Sequence, residues 1–295
     1  MKKRLSFDEA PKELLRRSPG LTFLLGGPDT GKTTLMKKIA WAYLEAGLAV
    51  GLVDADVGQT TIGPPAAIGM AIAKETLPDL SRAQALYFIG SNSPVGHIPE
   101  VAIGSFRMAD AARAAGTETI VFDSSGLISP PYGRILKYYK TELLRPQIVL
   151  ALERTDELKS ITSWIAGCRK DIELLRVAVP PEARLISAAK RAQNRREAYR
   201  RYFADATVKS FSLKDICLYP PHFLEGLDNP AGLLVGLQDE GWRTKALGII
   251  DLVEDDRVDI FAPYPPNMQL YGLIGGYLKL SRSGVELGKA RGGLR

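Results

Sequence analysis

The chain has 295 residues, 45% of them hydrophobic and 24% charged. This is the balance of a soluble globular protein with room for about two domains, and it excludes collagen, coiled coil and wholesale disorder. No apolar run approaches the ~18–20 residues of a membrane-spanning helix. The formal charge of +6 is concentrated in three places. Residues 190–201 (KRAQNRREAYRR) carry six basic side chains against one Glu, residues 1–17 six against three acids, and residues 276–295 five against one. Confined positive charge suits a phosphate-rich partner, although at chain ends it often serves only solubility.

In chain order, a basic lead over residues 1–20 meets Asp8, Glu9 and Glu13 at once, with no apolar stretch behind it, unlike a secretory signal. Short apolar runs follow at 21–25 (LTFLL), 49–53 (AVGLV), 85–89 (ALYFI), 119–122 (TIVF) and 148–152 (IVLAL). Such unbroken runs suit strands buried on both faces of a parallel sheet. Helical patterns lie between and after them, at about 33–46, 99–115, 133–144 and 155–166, and a basic helix is expected at about 185–203. The alternation predicts an α/β fold over residues 21–206, a doubly wound and mostly parallel sheet with its ligands at the carboxyl ends of the strands. Beyond residue 206 the helical texture gives way to short strand-like runs at 232–237, 247–253, 258–261 and 270–280, separated by turn signals. Residues 207–295 are therefore expected to form a smaller, mostly β domain. Cys168 and Cys217 suggest neither a disulfide framework nor a metal knot, and His97 and His222 have no zinc spacing. The expectation is a cytoplasmic protein without a membrane or disulfide-linked partner. Trp41 and Trp164 fall on helix patterns and are expected in the core.

Residues 26–33 (GGPDTGKT) fit GxxxxGK[ST] between a strand and a helix, the context of a phosphate-binding loop of the P-loop NTPases. Its backbone N–H groups and helix N-terminus favour phosphate. Gly27, Pro28, Asp29, Thr30, Gly31, Lys32, Thr33 and Thr34 are thus the candidate nucleotide-binding residues. Lys32 would reach the β- and γ-phosphates of ATP or another NTP, and the Thr33 hydroxyl would ligate Mg²⁺. The second run ends in Asp54-Ala55-Asp56 and the fourth in Asp123. A carboxylate at either strand end could hold Mg²⁺ or accept a proton from an attacking hydroxyl. Asp56 is the first choice for both roles, with Asp54 or Asp123 in indirect support, and spacing leaves Asp56 and Asp123 in competition. On the basic helix, Arg195 and Arg200 lie roughly 140° apart and could touch different phosphates, whereas Arg191 and Arg195 share a face and could meet nucleic-acid backbone.

These features together resemble the polynucleotide 5′-hydroxyl kinases, a family that includes kinases of tRNA splicing, pre-mRNA cleavage and pre-rRNA processing. Asp56-Val57-Gly58-Gln59 matches the family's DxGQ. The stretch from Gly90 to His97 (GSNSPVGH) sits at its substrate-gripping clasp. Arg195 and Arg200-Arg201-Tyr202-Phe203 look like its lid, and Asp123-Ser124-Ser125-Gly126-Leu127 is similar to its motif after the fourth strand. The likeness spans about residues 20–205 and is nearest to the short prokaryotic form without an N-terminal β domain. It implies Mg²⁺- and NTP-dependent phosphorylation of single-stranded or duplex RNA or DNA 5′-OH ends. Lys32, Asp56, Arg195 and Arg200 would be catalytic, and Gln59, Ser93, His97, Ser125 and Arg191 would bind substrate. Many members carry Trp where this chain has Leu127, and Tyr132 is a possible substitute for base stacking. A rival reading is a regulatory P-loop ATPase or GTPase switch, although Glu153-Arg154-Thr155-Asp156 lacks the lysine of the guanine-specific [NT]KxD. A small-molecule kinase is a third, for which so basic a lid would be excessive.

Overall fold

The computed structural model describes residues 4–17, 20–225 and 227–290; the ends of the basic segments 1–17 and 276–295 lie outside them. The elements in chain order are α1 (Glu9–Leu15), β1 (Leu21–Gly26), α2 (Lys32–Glu45), β2 (Val50–Ala55), β3 (Ala67–Ala73), β4 (Ala85–Phe88), α3 (Ile98–Ala114), β5 (Thr119–Ser124), α4 (Tyr132–Leu144) and β6 (Ile148–Glu153). There follow α5 (Lys159–Cys168), β7 (Glu173–Ala178), α6 (Ala188–Tyr202), β8 (Thr207–Ser212), β9 (Cys217–Tyr219), β10 (Leu233–Gln238), β11 (Thr244–Glu254), β12 (Arg257–Ala262), β13 (Gly272–Leu280) and β14 (Glu286–Lys289). Among them no helix is long and apolar enough to cross a membrane.

The fold is α/β, with β2, β5, β1, β6 and β7 side by side and parallel. Successive residues of these strands face opposite sides, and both sides are covered. Phe23, Leu25, Val53, Phe122 and Val149 meet α3, α4 and α5 through Val101, Met108, Leu136, Leu144, Ile161 and Ile165. Leu24, Leu52, Val121 and Leu150 meet α1 and α2 through Leu14, Leu35, Met36, Ile39 and Tyr43. Burying each such side chain stabilises the fold by about 1.5–3 kcal/mol, which explains why these strands read as continuous apolar runs. Residues 5–17 join this core: Leu5 extends the sheet beside Val177, and Phe7, Ala10 and Leu14 are buried.

The run at 85–89 is a strand but not a parallel one. With β3 it forms an antiparallel extension beyond β2. Apolar continuity reports burial on two faces and is silent on direction. β3 itself (AIGMAIA) is built of small apolar residues and a glycine, weak strand formers that make it hard to see in the sequence. β7 (ELLRVA) was also absent from the expected elements, being half-polar at the sheet edge. Trp41 departs from its expected place in the core: it is 49% exposed on α2. Trp164 is partly buried and packs against the core.

The strands after α6 continue the same sheet. Their link is the pairing of Thr244 with Leu86, reinforced by a bond from the Phe88 amide to Thr244 Oγ1 at 3.2 Å. Helix α6 lies on this junction, burying Tyr199 and Phe203 against Phe88, Leu234, Leu247 and Leu278. Gly90 permits the close approach. It has φ +74°, and a Cβ there would stand 2.5 Å from Gly276 Cα on β13. Gly90→Ala should therefore lower stability by about 1–3 kcal/mol through crowding and left-handed strain. Urea midpoints would measure this, and an unchanged midpoint would show that the junction yields freely.

Candidate active site

One cleft of about 470 Å³ opens at the carboxyl ends of β1, β2 and β5. The phosphate loop forms one wall, with Pro28, Asp29, Thr30, Gly31, Lys32, Thr33 and Thr34. Asp56, Gly58 and Gln59 form another, Asn92 and Pro94 a third, and Asp123 with Ser125–Ser129 the floor. Arg191 and Arg195 come in from α6.

Lys32 Nζ donates to the Gly27 carbonyl at 2.8 Å, so the side chain folds back along its own loop. Thr33 Oγ1 donates to Asp123 Oδ2 at 2.5 Å. The other Asp123 oxygen, Oδ1, is buried without a hydrogen-bond partner. An orphaned carboxylate oxygen beside a threonine hydroxyl at a phosphate loop is a donor set that fits Mg²⁺. Among the described residues no cluster of three His, Cys, Asp or Glu side chains could form an all-protein cage, as expected where phosphate supplies part of the coordination.

The three strand-end acids play different parts. Asp54 is fully buried and works as a loop organiser, accepting from the Asp56 amide at 2.9 Å and the Thr61 amide at 2.6 Å. Asp56 is half-buried in the cleft wall. Its Oδ1 accepts from the Gly58 and Gln59 amides, both at 3.1 Å, and its Oδ2 from the Gly126 amide at 3.3 Å. Both competing acids line the cleft: Asp123 accepts from Thr33, and Asp56 is held by the amides of its own loop and of Gly126.

Helix α6 and the segment before it dock on three loops. Asp29, at φ 55°, accepts through Oδ2 from the Ile186 amide at 3.0 Å and pairs with Arg191. Gln59 Nε2 donates to the Arg191 carbonyl at 3.1 Å, and Tyr199 Oη donates to Asn92 Oδ1 at 2.9 Å. Arg200 is not brought into the cleft. It is 65% exposed on the outer face of the helix and pairs with Glu197. The 140° offset from Arg195 explains this, since a helix buried on one face cannot aim both side chains at one cavity. His97 is also elsewhere, its ring 4.1 Å from that of Tyr277 and its pKa lowered by burial. Ser93 Oγ accepts from the Val95 amide within the clasp loop, while its neighbours Asn92 and Pro94 line the cleft. Ser125 lines it too, with its hydroxyl buried and unpartnered. Leu127, which stands where many members carry the base-stacking Trp, lines the floor beside Ile128, and Tyr132, the candidate substitute for that role, is exposed outside the cleft.

Three contributors were invisible in the sequence. Lys137 and Lys140 on α4 are fully buried beneath the floor. Lys137 Nζ donates to Ser124 Oγ at 2.9 Å and to the Ser125 carbonyl at 2.6 Å, fixing the loop that presents the Gly126 amide to Asp56. Lys140 lies over the Phe122 ring at 5.3 Å. Burial pushes both ammonium groups down, Lys140 to about 7, against the opposing pull of the acids. Arg154 bridges the Asp29 and Ala183 carbonyls at 2.9 and 2.8 Å, bracing the phosphate loop against the segment before the lid. Two lysines three apart in a helix otherwise read as a solvated face.

Residues 26–205 match the model of the mRNA cleavage and polyadenylation factor CLP1 P-loop family. The chain belongs to that family. It is 34% identical over 222 residues to a polyribonucleotide 5′-hydroxyl-kinase of Pyrococcus furiosus, a match covering 74% of this chain and 61% of that protein. A protein of the same name from Methanocaldococcus jannaschii is 33% identical over 204 residues, covering 68% and 55%. The chain thus spans about three-fifths of the length of these relatives. Among solved structures, Clp1p in its complex with Pcf11p superposes with a TM-score of 0.68 over 92% of this chain and 78% of that one, at 11% identity. That likeness concerns the fold alone.

Burial raises the pKa of Asp54 to about 8 and that of Asp123 to about 6, with Lys32 and Thr33 restraining the latter. Both folded values exceed the unfolded ones, so the folded state holds protons that the unfolded chain has already released. The contribution of these two acids to the stability of the metal- and nucleotide-free protein should consequently fall as pH rises from about 4 to about 8, while the depressed Lys137 and Lys140 act in the opposite direction. Asp54→Asn should flatten that slope. Equal slopes of urea midpoint against pH in wild type and variant would show that Asp54 is ionised throughout.

Proposed function

We propose that this chain is a polynucleotide 5′-hydroxyl kinase, moving the γ-phosphate of ATP or another NTP to the 5′-OH end of RNA. A single observation carries the reading: the phosphate loop, the Asp56 carboxylate and two lid arginines converge on one cleft. The names of the archaeal relatives, polyribonucleotide 5′-hydroxyl-kinase, support RNA as the acceptor.

The triphosphate would lie along residues 27–34, with Lys32 leaving the Gly27 carbonyl to meet the β- and γ-phosphates. Thr33 and Asp123 would hold Mg²⁺, with Asp56 close by. When bound, the ion would offset charge between the β- and γ-phosphates. The 5′-hydroxyl oxygen attacks the γ-phosphorus as the bond to the β–γ bridging oxygen breaks, nucleoside diphosphate leaves, and the hydroxyl proton passes to Asp56. Three backbone N–H groups hold that carboxylate in one orientation, which is what a positioned base requires. Arg191 and Arg195 supply positive charge over the transferring group, worth most as negative charge spreads over its oxygens. Gln59, Asn92, Pro94 and Ser125 border the space left for the acceptor end, and Arg200, paired with Glu197 on the outer face of the helix, would meet nucleic-acid backbone outside the cleft.

The test is label transfer from γ-labelled ATP to matched 5′-OH and 5′-phosphate oligonucleotides. Label should appear only on 5′-OH ends and depend on Mg²⁺. Hydrolysis without any labelled oligonucleotide would favour the switch reading. Asp56→Asn should lower kcat by ~10²–10⁴ while Mg²⁺-nucleotide binding persists. Arg195→Ala should depress kcat far more than Arg200→Ala does. Equal losses in the two arginine variants would mean that the lid rotates before transfer.

A further inference from the structure

We propose that Glu286, on the C-terminal strand β14, is a positioning residue that sets the Arg195 guanidinium over the transferring phosphoryl group; this rests on the kinase reading above. Arg195 Nε donates to Glu286 Oε1 at 2.5 Å, and Nη2 lies 3.5 Å from Oε2. The carboxylate thus grips one edge of the guanidinium. Nη1 has no hydrogen-bond partner among the described residues, and the side chain lines the cleft. A two-point grip on a planar group fixes its plane as well as its place, which a single bond cannot do. Both side chains are less than a third exposed, so solvent screens the pair only in part.

The hairpin that carries Glu286 is seated directly on the lid. Its turn closes through the Ser281 amide to the Val285 carbonyl at 2.9 Å. Within it, Gly284 has φ +80°, and a Cβ there would stand 2.8 Å from the Arg196 carbonyl oxygen and 2.9 Å from the Arg200 amide nitrogen. The turn therefore rests on the helix backbone just beyond Arg195. Glu286 pairs in register with Leu280 at the end of β13, which is hydrogen-bonded along β10 in the main sheet. Through this chain of contacts the position of a cleft arginine is set by a residue 91 places later in the sequence. Its neighbours on β14, Leu287, Gly288 and Lys289, are all exposed, so the strand has little packing role of its own.

Two roles are open to such a carboxylate, and they predict opposite signs. As a positioning group it raises turnover; as a brake it would hold Arg195 back from phosphate. The free Nη1 and the cleft-lining placement of Arg195 favour positioning. Steady-state kinetics with Mg-ATP and a 5′-OH oligoribonucleotide separate the two. Glu286→Ala should lower kcat by about 10- to 100-fold, the scale of misplacing one catalytic group, with KM for ATP changed less than about twofold. Glu286→Gln keeps an acceptor oxygen for Nε and should recover part of the loss. In an Arg195→Ala background, Glu286→Ala should cost nothing further, because the group it positions is gone. A rise in kcat, an unchanged kcat, or an undiminished loss in the Arg195→Ala background would each overturn the proposal. Thermal midpoints of the variants should match wild type, and a marked fall would assign Glu286 to the fold instead. Failure of the kinase reading would show separately, as a wild-type protein that labels no 5′-OH end.

Discussion

Asp54 and Asp123 lie directly opposite each other in register on the neighbouring parallel strands β2 and β5, both buried. Two carboxylates side by side away from water are costly, and the structure around them supplies the compensation. Asp54 is met by the amides of Asp56 and Thr61, which shape the loop carrying Asp56. Asp123 is met by Thr33, which ties the phosphate loop to the centre of the sheet, and feels the charge of Lys32. Lys137 approaches from below and fixes the loop after β5. The phosphate loop, the loop after β2 and the floor of the cleft are therefore each attached to one of the groups that make this acid pair tolerable.

The lid answers to a different balance. α6 is anchored towards its C-terminal end by Tyr199 and Phe203 in the junction core, and along its length by polar contacts to Asp29, Gln59, Asn92 and Glu286. Partly exposed ion pairs such as Arg191–Asp29 are each worth on the order of 1 kcal/mol or less. Under the kinase proposal, these polar contacts can exchange for phosphate at small cost while the aromatic anchor stays in place. Asp29 and Glu286 keep the two cleft arginines aligned while limiting their mutual repulsion.

Much of the α/β half was legible because its signals are local. A glycine-rich loop between an apolar run and an amphipathic helix identifies the phosphate site with few alternatives, and the strand-end acids follow from the same logic. β3 escaped because small residues carry weak strand propensity, and β4 was given the wrong direction because burial alone does not encode it. Trp41 was misplaced because an aromatic on a helix pattern carries no marker of which face it occupies. Lys137 and Lys140 were passed over because lysine is normally a surface residue; the bonds of Lys137 to Ser124 and Ser125, the neighbouring acids and the Phe122 ring make their burial tolerable.

By itself, the sequence determined the class of fold, the phosphate loop, the candidate acids and a basic helix able to close over them. These depend on periodicity and on residues adjacent in the chain. Tertiary structure alone decided that Asp123, of the two cleft acids, holds Thr33, that Arg191 and Arg195 enter the cleft while Arg200 does not, and that a late hairpin reaches back to α6. Those outcomes depend on strand register and on which side of a helix finds an apolar surface to cover. Both are set by contacts between residues far apart in the chain, through burial that no local pattern records.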